Sequence, residues 1–184
     1  VKQNCADLDD SALLARITQG DLAAFGLLYE RYLDAIYRHV FYRVSDACEA
    51  EDLTETIFLK AWQALSNHSK KNQVRHFRAW IYRIAHNEII EYHRNHQPML
   101  PIEHAQQVSN PDHLPEVSVL ELQASQQLSK AIAQLEPDLQ QVLVCRFIDQ
   151  LSHAETAEIM DLKPGHVRVL QHRALNKVRD FLNG

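Results

Sequence analysis

Residues 151–182 read LSHAETAEIMDLKPGHVRVLQHRALNKVRDFL. Ser152-His153-Ala154-Glu155 has the spacing of a capping box, in which Ser152 caps a helix and Glu155 reaches back to the cap. That helix runs to Met160 and is followed by Asp161-Leu162-Lys163 and then Pro164. Proline suits the first turn of a helix, where its missing N–H is not needed. Two helices joined by a turn of three or four residues are the outline of a helix-turn-helix. Ala157 is small where the helices approach, and Ile159, Leu162 and Val167 can share a core. Asp161 stands at a turn position that often needs a left-handed backbone, which Asp tolerates better than most residues. The exposed face of the second helix then carries His166, Arg168, Gln171 and His172. Arg bridges guanine and Gln bridges adenine by paired hydrogen bonds, so this face is suited to a DNA major groove. Arg173 and Lys177 lie further along and suit phosphates.

Moving toward the N-terminus, helical spacing also predicts segments near 117–135 and 138–150. Residues 98–116 hold Pro98, Pro101, Pro111 and Pro115, no Lys or Arg, and no periodicity. Proline fixes φ and removes a donor, so this stretch reads as a flexible acidic linker. The first 97 residues read as four helices. Asp9 or Asp10 caps the first, Gly20 ends it, Asp21 caps the second, and Ser45 or Asp46 starts the third. Residues 66–75 read as a polar, basic loop, and Phe77, Trp80, Ile81, Ile84, Ala85 and Ile89 mark a fourth helix ending near His96. The fold class is all-α: two small helical domains joined by a linker, the second a helix-turn-helix domain.

The 184 residues carry a net charge of −5, which is unexpected for a nucleic-acid binder. By segment the charge is −5 over 1–65, +4 over 66–97, −4 over 98–126, −3 over 127–163 and +3 over 164–184. Two local basic patches attract phosphate whatever the total, and they imply two separate contacts. Cys5, Cys48 and Cys145 are odd in number and far apart, which fits a reducing, cytoplasmic compartment rather than a disulfide framework. No apolar run approaches the ~18 residues of a membrane span, and Val1 to Asp10 shows no signal peptide.

VRVLQHRAL (167–175), GDLAAFGLLYERY (20–32), AEDLTETIFLKAW (50–62) and FRAWIYRIAHNEIIEYHR (77–94) follow the order and spacing of the extracytoplasmic-function sigma factors of bacterial RNA polymerase. The chain resembles that family over about 10–97 and 127–182. The resemblance implies region 2 over 1–97, a linker over 98–116 and region 4 over 117–184. It implies a non-enzymatic initiation factor with bacterial core RNA polymerase and promoter DNA as partners. It also implies an anti-sigma factor, which can be membrane-bound, without insertion of the chain itself.

By position, Asp52, Leu53, Glu55, Phe58 and Trp62 would lie at or beneath the contact with the polymerase clamp, Phe58 and Trp62 as packing side chains more than as contacts. Asp52 and Glu55 share a helical face, although Glu55-Thr56 departs from the family's usual Gln-Glu. Lys70, Lys71, Arg75, His76, Arg78 and Asn87 would serve the element called −10. His166, Arg168, Gln171, His172, Arg173 and Lys177 would serve the upstream element called −35. The acidic linker, with Glu103, Asp112 and Glu116, could mimic nucleic acid in a basic channel. His86, His93 and His96 share a helix, but no Cys or carboxylate cluster completes a metal site at recognisable spacing. Neither a cofactor nor a catalytic constellation is expected. Three alternatives remain open from the residues alone: a stand-alone helix-turn-helix regulator, a degenerate sigma-like interaction protein, and a His-ligated metalloenzyme.

Overall fold

The computed structural model describes residues 8–66, 74, 76–95 and 127–183, and among these it is helical throughout, without strands. Helix α1 (Asp10–Thr18) starts where the Asp9 carboxylate accepts the Ala12 N–H at 2.8 Å. It stops before Gly20, whose φ of +91° favours a residue without a Cβ. Asp21 then accepts the Ala23 N–H at the head of α2 (Ala23–Val44) and pairs with Arg16 at 2.6 Å. Ser45 turns the chain with a left-handed backbone, and Asp46 caps α3 (Ala47–Ser66) through the Glu49 N–H at 3.0 Å. Helix α4 spans Phe77–Asn95. Leu28, Ile36, Val40, Ile57, Ala61, Ile81, Ala85 and Ile89 recur at helical spacing and are fully buried where these four helices meet. Edge-to-face ring pairs, Tyr29 with Phe58 and Phe25 with Trp62, close the α2–α3 seam.

In the second domain, α5 covers 127–133 and α6 spans Pro137–Leu143. Gln140 fastens the corner between them by donating to the Ala133 and Leu135 carbonyls. Helix α6 then widens into a π turn over Val144–Ile148, where the Asp149 N–H reaches back to the Val144 carbonyl. Such one-turn widenings are rare and concentrate at functional positions. Helix α7 (His153–Met160) carries the expected capping box. Ser152 Oγ accepts from the Glu155 N–H at 3.1 Å, and Glu155 accepts from the Ser152 N–H at 2.7 Å. Asp161 adopts the left-handed conformation at φ 54° and ends α7, and Pro164 opens α8 (Pro164–Asn183). The helix-turn-helix is therefore present as read. Ala157, Val167, Leu170 and Ala174 join Leu139, Val142 and Leu143 in its core, with Leu162 against them.

One packing expectation is corrected. Ile159 does not join that core; with Cys145 and Leu151 it sits in the apolar cluster built by α1 to α4. The reason is that the two domains are docked. Helix α7 packs on α4 as well as on α8, and α2 packs on the π turn. The linker residues 98–116, with Glu103, Asp112 and Glu116, lie outside the described residues.

Candidate polymerase and nucleic-acid interfaces

Helix α3 presents its acidic residues as its spacing requires. Asp52 and Glu55 are exposed, and Leu53 is half-buried beside them. Glu51 and Glu55, one turn apart, border a groove between α2 and α3 shared with Tyr29, Leu33, Asp34 and Tyr37. Burial raises the Tyr37 hydroxyl above the ordinary phenol range, and Glu51, Cys48 and Asp46 push it the same way. The face is thus acidic around an apolar floor. Phe58 lies beneath the face rather than on it: at 3% exposure, with its ring against Tyr29, it supports this face from below. Trp62 is half-buried against Phe25.

Lys70, Lys71 and Arg75, which precede α4 in the sequence, lie outside the described residues. His76 and Asn87 are both exposed and eleven residues apart, about three turns, so they share a face. Arg83 is exposed one turn before Asn87 and belongs to the same face; the i, i+4 spacing is the signal that sequence reading missed. Arg78 is corrected. It lies nine residues from Asn87, about two and a half turns, hence on the opposite side of the helix. There it donates to the Asp149 carbonyl at 2.9 Å and faces Glu155 at 3.6 Å, both in the second domain.

On α8, His166, Arg168, His172 and Arg173 are exposed. Val169, 48% exposed among them, is an apolar residue that sequence reading passed over; such a side chain can meet a thymine methyl. Gln171 is corrected to a bracing role, because its amide oxygen is held by Arg146 at 3.2 Å and His153 at 2.9 Å. Lys177 pairs with Glu136 at 2.7 Å on the exposed surface.

Where the domains meet, a buried polar cluster forms that no local pattern announces. His39 Nδ1 and Asp149 Oδ2 are 2.6 Å apart and essentially inaccessible. The Tyr82 hydroxyl also donates to Asp149, at 3.4 Å, and Ser45 and Ser129 bring their hydroxyls to 2.7 Å. Arg43 is 2% exposed, and burial pushes its guanidinium down to about 10 despite Cys145, Asp138 and Asp149 nearby. Burial likewise lifts the Cys145 thiol well above its ordinary range and pushes His86 down to about 4. The ligand atoms of His39, Cys145 and Asp149 lie within 4.8 Å of one another. A divalent cation among them would put two further charges beside the buried Arg43 guanidinium, so the set is poorly suited to a metal. The histidines considered from sequence do not join it as ligands: His86 sits at its edge, and His96 is outside the described residues.

Family matches cover both domains. The sigma-70 region 2 family matches residues 28–98, and the sigma-70 region 4 family matches residues 131–180. The sigma factor BldN of Streptomyces coelicolor is 33% identical over 98% of this chain and 70% of its own length. The chain belongs to the extracytoplasmic-function sigma factors. It is an alternative sigma factor, associating with RNA polymerase and directing transcription initiation through a DNA-binding helix-turn-helix. SigW of Bacillus subtilis is 29% identical over 92% of this sigma factor and 94% of its own length. Among solved structures, the complex of CnrH with the cytosolic domain of CnrY contains a chain superposing at TM-score 0.72. It has 22% identity and covers 95% of this chain and 97% of that one. RpoE in complex with the anti-sigma factor NepR, from Bartonella quintana, gives TM-score 0.63 at 20% identity, covering 86% of this chain and 96% of that one. These two likenesses bear on the fold. No described helix is long and apolar enough to cross a membrane.

Proposed function

We propose that this sigma factor divides its work among three helical faces, within domains bounded at 1–97, 98–116 and 117–184. The acidic face of α3, with Asp52 and Glu55 around Leu53, docks on a basic surface of core RNA polymerase. The face of α4 with His76, Arg83 and Asn87, joined by the basic residues Lys70, Lys71 and Arg75 that precede it in the sequence, holds the −10 element. The face of α8 with His166, Arg168, Val169, His172 and Arg173 reads the −35 element in a major groove. The observation that carries this is the separation of charge: one acidic helical face and two basic ones are all exposed on a chain of net charge −5. The chain contributes recognition, not bond-making chemistry, and acts in the cytoplasm, where the polymerase is.

The same reading supplies a regulator. CnrH and RpoE are held by CnrY and NepR in their complexes, and an anti-sigma factor, soluble or membrane-bound, is the corresponding partner here. Run-off transcription with purified core polymerase and fragments from upstream of the chain's own gene tests the assignment. A discrete start requiring the chain, lost with Arg168→Ala or Asn87→Ala, is the expected result. Binding to core polymerase with no start at any fragment would favour a degenerate interaction protein. Duplex binding without polymerase would favour a stand-alone regulator.

A further inference from the structure

Helix α2 carries Arg31, Ala35 and Arg38 on one face, four and then three residues apart. Its two arginines are separated by about 10 Å of helix at 1.5 Å per residue. Arg78 and Tyr82 of α4, with residues 148–150 at the end of the π turn, complete a cleft of about 440 Å³ beside that face. Small-ligand sites commonly enclose about 300–1,000 Å³.

The cleft is basic. Its lining holds three guanidiniums and one carboxylate, that of Asp149. That carboxylate is turned away from solvent: its oxygens go to His39 and the Tyr82 hydroxyl, and its side chain is 2% exposed. Asp10, 2.6 Å from Arg31, and Glu155, 3.6 Å from Arg78, border a neighbouring cleft that shares those two arginines but not Arg38. Like charges gathered in one recess repel each other, and an anion among them is attracted instead.

Two of the three guanidiniums are held in place from behind. Arg31 donates to Asp10 at 2.6 Å and to the Leu8 carbonyl at 2.7 Å, and Arg78 donates to the Asp149 carbonyl at 2.9 Å. A guanidinium has five donors in a rigid fork, so such bonds fix its plane while other donors can aim elsewhere. An arginine fixed in this way loses little freedom on pairing with phosphate. Arg38 is exposed and has no hydrogen-bond or ion-pair partner among the described residues. Packing therefore does not account for a third arginine in the recess.

The cleft is separate from the faces assigned to the promoter. Arg78 lies on the side of α4 away from Asn87, and residues 148–150 of the second domain form one wall. A recess closed in this way admits a small molecule and not a duplex. Arginine meets phosphate through two parallel N–H···O bonds, and adjoining phosphates suit arginines two turns apart better than a single one does.

We propose that this cleft binds a small ligand carrying a diphosphate group, with Arg31, Arg38 and Arg78 as the clamp on its phosphates. The site is independent of which promoter element each helix reads.

Calorimetric titration of the full chain at constant ionic strength, with sodium pyrophosphate and separately with ADP, tests the site. Saturable binding at one site per chain is expected. Arg38→Ala should weaken it about tenfold or more, whereas Arg179→Ala, at an exposed arginine of α8 outside the cleft, should leave it unchanged. Arg38→Lys should recover only part of the loss, because lysine keeps the charge without the fork. Equal affinity for the two probes would support recognition through the phosphates alone, and tighter ADP would support a nucleoside filling the rest of the cleft. Absence of saturable binding, or equal weakening by Arg38→Ala and Arg179→Ala, would overturn the site. Single-stranded DNA binding that falls in Arg38→Ala, with no pyrophosphate site, would also overturn it and would assign the arginines to a promoter strand.

Discussion

At the scale of single residues, the most informative side chains fall into two kinds. Some were legible from spacing alone. Arg168 and Arg173 project from α8 into solvent, as the apolar stripe of Val167, Leu170 and Ala174 requires. Arg168 stands near the helix start, where base edges are reached, and Arg173 lies a turn further on. Arg168→Ala is therefore expected to cost about 1–3 kcal/mol at one promoter position and relax specificity there. Arg173→Ala should weaken binding evenly across sequences and lower the salt slope by about one unit. Promoter binding by holoenzyme over a salt series checks both, and identical behaviour of the two variants would refute the division. Other residues were illegible because their partners are remote in sequence. Arg43 sits on α2 among apolar neighbours, and nothing near it in the chain shows that Asp138, Cys145 and Asp149 of the second domain will lie around it. Its guanidinium is desolvated with two nitrogens unpartnered among the described residues. Arg43→Met keeps the volume and removes that cost, so the thermal midpoint should hold or rise. A fall of several degrees would mean that the guanidinium stabilises the junction.

At the scale of elements, helix boundaries were legible to within a residue or two because each rests on a local device. Asp9, Asp46 and Ser152 cap, Gly20 and Asp161 take positive φ, and Pro164 opens α8. The π turn after α6 was not legible, since VLVCRFI has no glycine or proline to mark it. Its cause lies in tertiary contact, where Cys145 and Asp149 are drawn toward α2 and α4. The same limit misassigned Ile159 and Arg78, whose neighbours belong to the other domain. The capping box of α7 joins the local and tertiary levels. Glu155 is lowered despite partial burial, because the Ser152 N–H and hydroxyl, Arg78 and Arg146 favour its charged form. Ser152→Ala should cost about 0.5–2 kcal/mol by denaturant unfolding. Glu155→Gln should lose less, because an amide oxygen can still accept the Ser152 N–H. Equal losses would show that the charge facing Arg78 contributes as much as the cap.

At the scale of the whole molecule, composition and motif order established two helical domains, but not whether they touch. A linker sequence constrains reach, not docking, and docking depends on polar pairs such as His39 with Asp149, 110 residues apart. His86 gives a measurable consequence. It lies on α4 with Arg43 and His39 of its own domain and Gln141 and Asp138 of the other around it. Burial, chiefly, holds its ring at about 4 instead of the ordinary 6.5, with Arg43 and His39 adding to the shift and Gln141 and Asp138 opposing it. Between those values the unfolded chain binds a proton that the folded chain does not. Stability contributed by a neutral His86 is therefore complete above about pH 6.5 and is lost as pH falls toward about 4. The lowered carboxyls of Asp9, Asp21 and Glu155 act only nearer their own ordinary range, around 4, so pH 6.5 to 5 isolates the histidine contribution. Over that interval the thermal midpoint of the wild-type chain should fall by several degrees more than that of His86→Gln. Parallel curves would mean that the ring is hydrated in solution, as it would be if the domains stood apart.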